Sequence, residues 1–420
     1  MKIALIGNMN NNGFSLLRYF LDLGVEAALF PYSDDGVGNL THFCPEADTW
    51  QFEKWRNHVS VLPFANNIKS LWTLNLTSKN KKIREIIDKL MSEFDFIIGS
   101  GIAPALFEKH GGRLNAFYPY SLGVEFLGAP SIVKIANNIS IRSLLYRYSM
   151  NLQKKGIQHS HYCFNAEMGL TKDTLDSINR DFDRLAVPMV FNRELFPPKE
   201  CVPLKIMKII DKIQQYKFVV FSHSRLYWIR DALLSEADFM RLSKNSDWLL
   251  RGFSKFVSQC REDVVLILVE YGPDVEATKE LAVELGISEY IIWLPKMKRR
   301  EIMYIMQYID VGVGEFYSTP GTIWGGTGWE VLASGKPLLQ AFNFSIEGYT
   351  EQFGHPPPTV LHADSPETVA QQLRRMFSMP ADREQIGIAN AKWFDKNNGI
   401  GLAREWLTRM GVLADLRSNL

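Results

Sequence analysis

The chain has 420 residues, 46% of them hydrophobic and 12% aromatic, a length that supports two cores rather than one. Lys and Arg total 47 against 46 for Asp and Glu, a formal net charge of +1, so no global field selects nucleic acid as a partner. The four cysteines, Cys44, Cys163, Cys201 and Cys260, form no C-x-x-C pair, which argues against a disulfide scaffold or a zinc site and fits a reducing compartment.

Met1-Lys2 leads directly into IALIG with no charged n-region or cleavage site, and no apolar run approaches the roughly 18 residues of a membrane span, so the expectation is a cytoplasmic protein. KIALIGN reads as a strand, Met9 to Gly13 as an asparagine-rich loop, FSLLRYFLDLG as a helix stopped by Gly24, and Val25 to Phe30 as a second strand. The helix KKIREIIDKLM, the strand FDFIIGS and the segment APALFEKHG continue the alternation, which implies a parallel sheet with helices on both faces. Ligands of such sheets bind at the carboxyl ends of strands. Gly13 in the first loop, and Tyr120, Ser121 and Glu125 after NAFYP, are therefore candidates for the acceptor side.

Residues 66–89 carry Lys69, Lys79, Lys81, Lys82 and Arg84 beside Leu71, Trp72, Leu74 and Leu76. Such a segment either rests on an anionic membrane as a peripheral contact or forms a solvated helix face with packed aromatics. A helical region covers Ile132 to Lys154. His159 and His161 then share one strand face without the further ligands a metal site needs, so their role is structural. The strand AVPMVFN precedes Pro197, Pro198 and Pro203, which mark an interdomain connection near residue 200.

The second half restarts the pattern with the strand KFVVFSHSR, the helix NSDWLLRGFSKFVSQC, the strand VVLILVEYGPD, the helix ATKELAVELG, the strand YIIWLP, the helix RREIMYIMQYI and the strand VGVGEF. That last strand delivers a Gly-rich run in which Gly321, Gly325, Gly326 and Gly328 precede a short helix from Trp329 to Ser334, closed by Gly335 and followed by Pro337. Free amides and the helix dipole at such a turn favour phosphate, and Glu330 adds an acceptor for hydroxyls. Phosphate with hydroxyls describes a nucleotide or nucleotide sugar. An ordinary strand-loop-helix connection also uses glycines in this way.

The order SHSRL, VLILVEYGPD, YIIWLPKM and GGTGWEVLASGKPLL resembles the donor domain of retaining GT-B glycosyltransferases of the family 4 type, most closely from Phe218 to Leu339. The resemblance implies two Rossmann-like doubly wound α/β domains facing a central cleft. Residues 1–200 would form the acceptor side and 201–395 the donor side, with a C-terminal helix in 396–420 crossing back. It implies transfer of a sugar, with retention, from a nucleoside-diphosphate sugar to a hydroxyl of a glycan or lipid-linked acceptor, without an essential metal or other cofactor. Arg225 and Lys244 map to the pair that stabilises the departing diphosphate, and Glu330 to the ribose-binding carboxylate. Pro295 and Met297 fall in the base-contacting loop, Gly325 and Gly326 line the phosphates, and His223 neighbours Arg225. Departures mark this chain: Ser224 and Asn245 stand where the family has glycine, and Thr322 stands where its sugar-contacting Glu belongs, for which Glu315 is a substitute. A GT-B nucleotide-sugar 2-epimerase and a nucleotide-sugar-binding protein without turnover are the alternatives.

Overall fold

Among the described residues of the computed structural model, eleven short strands, β1 (Lys2–Ile6), β2 (Glu26–Phe30), β3 (Phe96–Gly99), β4 (Ala116–Phe117), β5 (Tyr162–Cys163), β6 (Phe218–Ser222), β7 (Val264–Val269), β8 (Ile291–Leu294), β9 (Val311–Val313), β10 (Leu338–Gln340) and β11 (Val360–His362), divide into two sheets. The structure describes residues 1–34, 44–67, 70, 79–120, 124–128, 130–166, 169–230, 233–260, 263–318 and 324–413. Ser121, Gly321 and Thr322 lie outside them, as do residues 68, 69 and 71–78 of the basic, aromatic 66–89 segment. The first sheet has five strands in the order β2-β1-β3-β4-β5, the second six in the order β11-β10-β9-β6-β7-β8, and every pairing is parallel.

Parallel strands buried on both faces need continuous apolar runs rather than alternating ones. β7, VVLILV, is buried at all six positions. The period of two then assigns alternate side chains to opposite cores. Phe218 and Val220 of β6 enter one cluster with Phe253 and Leu266, while Val219 and Phe221 enter another with Val265 and Ile305. β1 behaves alike, with Ile3 and Leu5 packed beside Phe14 and Trp406, and Ala4 and Ile6 beside Ile87 and Phe107.

The helix Ile400–Arg409 packs into the core of the first sheet. Its Trp406 is fully buried, meets Tyr118 and Phe164 edge-on at 5.6 and 4.6 Å between centroids, and donates from Nε1 to the Ala186 carbonyl at 2.7 Å.

Three features differ from the sequence reading, the smallest being His159, which ends the helix Ile141–His159 and so shares no strand face with His161. AVPMVFN forms no strand, because Pro188 lacks an N–H and the run's carbonyls are taken by tertiary donors: Ala186 by Trp406, Met189 by Arg299 and Val190 by the Tyr19 hydroxyl. The single helical region from Ile132 to Lys154 is two helices, Pro130–Ala136 and Ile141–His159. Ser140 starts the second one by accepting from the Ser143 amide at 3.1 Å.

Candidate functional site

In each sheet the strand order reverses once, between β1 and β3 and between β6 and β9, which is where a crevice opens at the carboxyl ends. A cleft of about 300 Å³ lies between the two sheets at these ends. Asn10 from the loop after β1, His223 and Arg225 after β6, and Glu315 after β9 line it, with Glu330 from the helix Gly326–Ala333. Its wall carries five cationic side chains, Arg225, Lys244, Lys296, Lys298 and Arg299, against the carboxylates Glu315 and Glu330. That excess suits an anion.

Glu330 sits in the second turn of its helix with only 6% of its surface exposed. Burial alone would raise its pKa, but the Arg299 guanidinium and the His223 ring outweigh it and hold the carboxyl near 2. Arg299 Nε donates to Oε1 at 2.6 Å, and His223 Nε2 donates to Oε2 at 2.5 Å. Burial likewise disfavours the charge on Arg299, and Glu330 and Asp48 more than offset this, so its pKa is raised.

Arg299 also spans the cleft. Its Nη1 donates to the carbonyls of Asn10 at 2.8 Å and Met189 at 3.2 Å, and to Asp48 Oδ1 at 3.1 Å. Asp48 in turn pairs with Arg18, which is 1% exposed and 3.6 Å from Glu194. A buried polar chain thus runs from the first-domain helix Asn12–Asp22 to the second-domain helix that carries Glu330. Next to it Arg300 donates to the Glu46 and Thr49 carbonyls, each at 2.9 Å, and stacks 4.8 Å above the Trp50 ring.

Lys244 Nζ pairs with Glu315 at 2.8 Å and donates to the Tyr317 hydroxyl. Burial first, and then the neighbouring Glu315 carboxylate, push the Tyr317 phenol well above its usual range, so it stays neutral. Gly325 lies against this pair: a Cβ there would come within 2.2 Å of Glu315 Oε2 and push that carboxylate aside. Arg225 is exposed to the cleft and stacks 5.2 Å over Tyr227, which leaves its guanidinium facing the open volume.

Of the residues singled out from sequence, the cleft brings together His223, Arg225, Lys244, Met297, Glu315, Gly326 and Glu330, with Gly325 against Glu315. Pro295 is exposed outside the lining, and Lys296 beside it stacks 4.8 Å over Tyr271. Gly13, Tyr120 and Glu125 also lie outside the lining. Gly13 is buried under the Gly7 carbonyl, where a Cβ would come within 2.4 Å. Tyr120 donates its amide to Glu125 Oε1 at 3.0 Å, and its hydroxyl accepts from Asn66. Burial pushes the Glu125 carboxyl up to about 8.

Sequence reading passed over Arg299 and Asp48, whereas Asn10 belongs to the asparagine-rich loop that it places at the carboxyl end of the first strand. A signal for the first was present, since Arg299 and Arg300 open the helix Arg299–Ile305, the end where the dipole disfavours cations. Two arginines in that place imply outside partners. Among the described residues no group of three or more His, Cys, Asp or Glu side chains is placed to hold a metal ion, and no helix is long and apolar enough to cross a membrane.

No protein-family model matches the chain, and no curated protein does. Solved structures match over the whole length. Anabaena HepE in complex with UDP aligns with a TM-score of 0.60 at 14% identity, covering 100% of both chains. A glycosyltransferase from Rickettsia africae ESF-5 aligns with a TM-score of 0.59 at 17% identity, covering 98% of this chain and 97% of its own. A Listeria monocytogenes protein named for UDP-N-acetylglucosamine 2-epimerase activity reaches 0.53 at 11% identity, over 99% and 96%. Two parallel-sheet Rossmann-like domains around a cleft, matched end to end by these structures, give the chain the GT-B fold of glycosyltransferases.

Proposed function

We propose that the protein is a retaining glycosyltransferase of the family 4 type, which moves a sugar from a nucleoside-diphosphate sugar to a hydroxyl acceptor. The observation that carries this reading is the joint placement of Glu330, Arg225 and Lys244 on one cleft at the carboxyl ends of β6 and β9. Glu330, held ionised, accepts from the ribose hydroxyls. Arg225 and Lys244 face the diphosphate, with the free amides of the helix Gly326–Ala333. Glu315, beside Gly325, takes the sugar-side position that Thr322 leaves without a carboxylate.

In the reaction the bond from the anomeric carbon to the phosphate oxygen breaks and a bond to the acceptor oxygen forms on the same face. The acceptor proton passes to the leaving phosphate, whose negative charge the two cations stabilise. The domain division 1–200, 201–395 and 396–420 belongs to this reading and is supported by Trp406 buried in the first-domain core. So does acceptor binding on the first domain, where Tyr120 and Glu125 lie. A 2-epimerase is the second reading, favoured by the Listeria neighbour.

Because HepE was solved with UDP, UDP and its sugars are the ligands to test first. Calorimetric titration should show UDP binding that weakens at least about tenfold in Arg225→Ala and in Glu330→Gln, the loss of a charge-assisted hydrogen bond. Release of UDP only when an acceptor is present supports transfer, whereas interconversion of the sugar at C2 without acceptor supports the epimerase. Unchanged UDP affinity in both variants would falsify the site.

A further inference from the structure

The helix Ile141–His159 packs small polar residues inward along with Tyr146, Met150, Leu152 and Ile157, and carries large apolar side chains on its outer face. Facing the protein are Ser143, Ser149, Gln153 and Gly156, all buried, with Tyr146 and Ile157 the large buried side chains. Facing outward are Ile141, 80% exposed, Leu144 at 61% and Tyr148 at 48%, and Ile139 just before the helix is fully exposed. Positions 141, 144 and 148 follow the spacing of a single helix face. A helix packed on a water-soluble domain puts its polar stripe outward, so an apolar outer stripe implies contact with something apolar.

The inward face is fixed by close packing, so the helix cannot roll to hide this stripe. Gly156 lies on the Pro104 carbonyl, where a Cβ would approach to 2.1 Å. Gln153 donates to the Gly101 carbonyl at 2.8 Å and accepts from the Ala105 amide at 3.2 Å. His159 meets Glu108 at 2.8 Å. These pairs run in register along the helix Ala103–Lys109, which starts just past the carboxyl end of β3. Residues 141–152 therefore extend beyond that helix by about 18 Å, at 1.5 Å per residue, past the carboxyl-end rim of the first sheet. Ile141, Leu144 and Tyr148 sit on this stretch, and Ile139 just precedes it.

Charge names the occupant. Residues 130–159 contain Lys134, Arg142, Arg147, Lys154 and Lys155 and no Asp or Glu. A second copy of the chain docking face to face would set Arg142 and Arg147 against their own counterparts. An anionic bilayer accepts apolar side chains into its interface and attracts each basic residue around them.

We propose that the Ile139–Tyr148 face docks the protein on an anionic lipid surface, with the carboxyl-end rim of the first domain turned toward that surface. Lipid docking does not depend on the transferase reading. Only the corollary, that the acceptor is presented from a lipid, rests on it.

The test uses the full chain with vesicles of phosphatidylcholine alone or with about one-third phosphatidylglycerol, at low salt. Co-sedimentation should be strong only with the anionic vesicles. It should fall about tenfold in Ile141→Ser with Leu144→Ser, and measurably in Arg142→Gln with Arg147→Gln. Ile388→Ser, at a 50% exposed apolar site on the helix Pro380–Asn397, is the control and should change nothing. Thermal unfolding and UDP titration of the same variants should match the wild type, which separates failed docking from a failed site. No sedimentation with anionic vesicles, or equal sedimentation of wild type and the Ser variant, overturns the proposal. So does light scattering that shows a wild-type dimer turned monomeric by the Ser substitutions, which assigns the face to self-association, or an acidic protein partner bound with no vesicle binding.

Discussion

Glu330 and Glu125 are two buried carboxyls with opposite fates. Glu330 is 6% exposed and Glu125 1%, so loss of water pushes both toward the neutral acid. Glu330 has a guanidinium at 2.6 Å and an imidazole at 2.5 Å, and its carboxyl is held near 2. Glu125 has backbone amides of Tyr120 and Gly101, and burial prevails over them to push it up to about 8. At Glu125 two backbone amides do not offset the burial, whereas at Glu330 a guanidinium charge does. At neutral pH the second domain therefore holds a pure acceptor, while the first holds a carboxylic acid able to donate.

Removing the charge that separates them gives the largest expected effect. Arg299→Ala leaves Glu330 buried without its guanidinium partner, with His223 still bonded to Oε2, and also releases Asp48, Asn10 and Met189 across the cleft. A loss of about 3–5 kcal/mol is expected in denaturant unfolding, and Arg299→Ala with Glu330→Gln should recover much of it. The pH dependence should change sign as well. In the wild type the Glu330 contribution is complete above its unfolded pKa near 4.5 and is lost as pH falls through about 2. Without Arg299 the folded pKa rises, and stability then falls as pH increases above the unfolded value. A variant that keeps the wild-type acid limb would break the comparison.

Glu125 tests the other arm. Its folded pKa of about 8 exceeds the unfolded 4.5, so its contribution is complete below about 4.5 and disappears as pH rises through 8. Glu125→Gln keeps the shape and removes the titration. The melting temperature of the variant should be flat from pH 5 to pH 9, where that of the wild type declines, and at the alkaline end the variant should be the more stable of the two. Parallel curves would place the ionised form in a better solvated setting than the structure gives it.

What could be read from sequence, and what could not, follows the range of the interactions involved. VVLILV and FVVFS announce buried parallel strands because every position is apolar, and the strand-then-polar-tip pattern carries His223 and Arg225 to the cleft with them. Gly325 and Glu330 share one local turn and helix, so their proximity was also legible. Arg299 and Asp48 lie 251 positions apart, and only the closing of two domains makes them neighbours. The failed strand AVPMVFN has the same cause: its carbonyls go to Trp406, Arg299 and Tyr19, distant donors that no local pattern displays. The helix Ile141–His159 was hidden differently. Its apolar spacing is that of any amphipathic helix, and the sequence alone does not say that serines and a glycine take the inner face.

A third pair ranks between the two extremes and carries the smallest expected effect. Lys244 and Glu315 meet at 2.8 Å with 14% and 9% of their side chains exposed, so water screens them more than it screens Arg299 and Glu330, at 7% and 8% with additional partners. A double-mutant cycle of Lys244→Met and Glu315→Gln should return a coupling of about 1 kcal/mol, below that of the Arg299 and Glu330 cycle. Bound UDP offers Lys244 a second anion, so the same cycle measured with nucleotide should give a smaller coupling still, as the ammonium divides between carboxylate and phosphate. If the coupling instead grows with nucleotide, Lys244 stays on Glu315, and Arg225 alone faces the diphosphate. If it equals the Arg299 and Glu330 value without nucleotide, the formal charge of the partner alone, and not the depth of burial around the pair, sets the strength of these contacts.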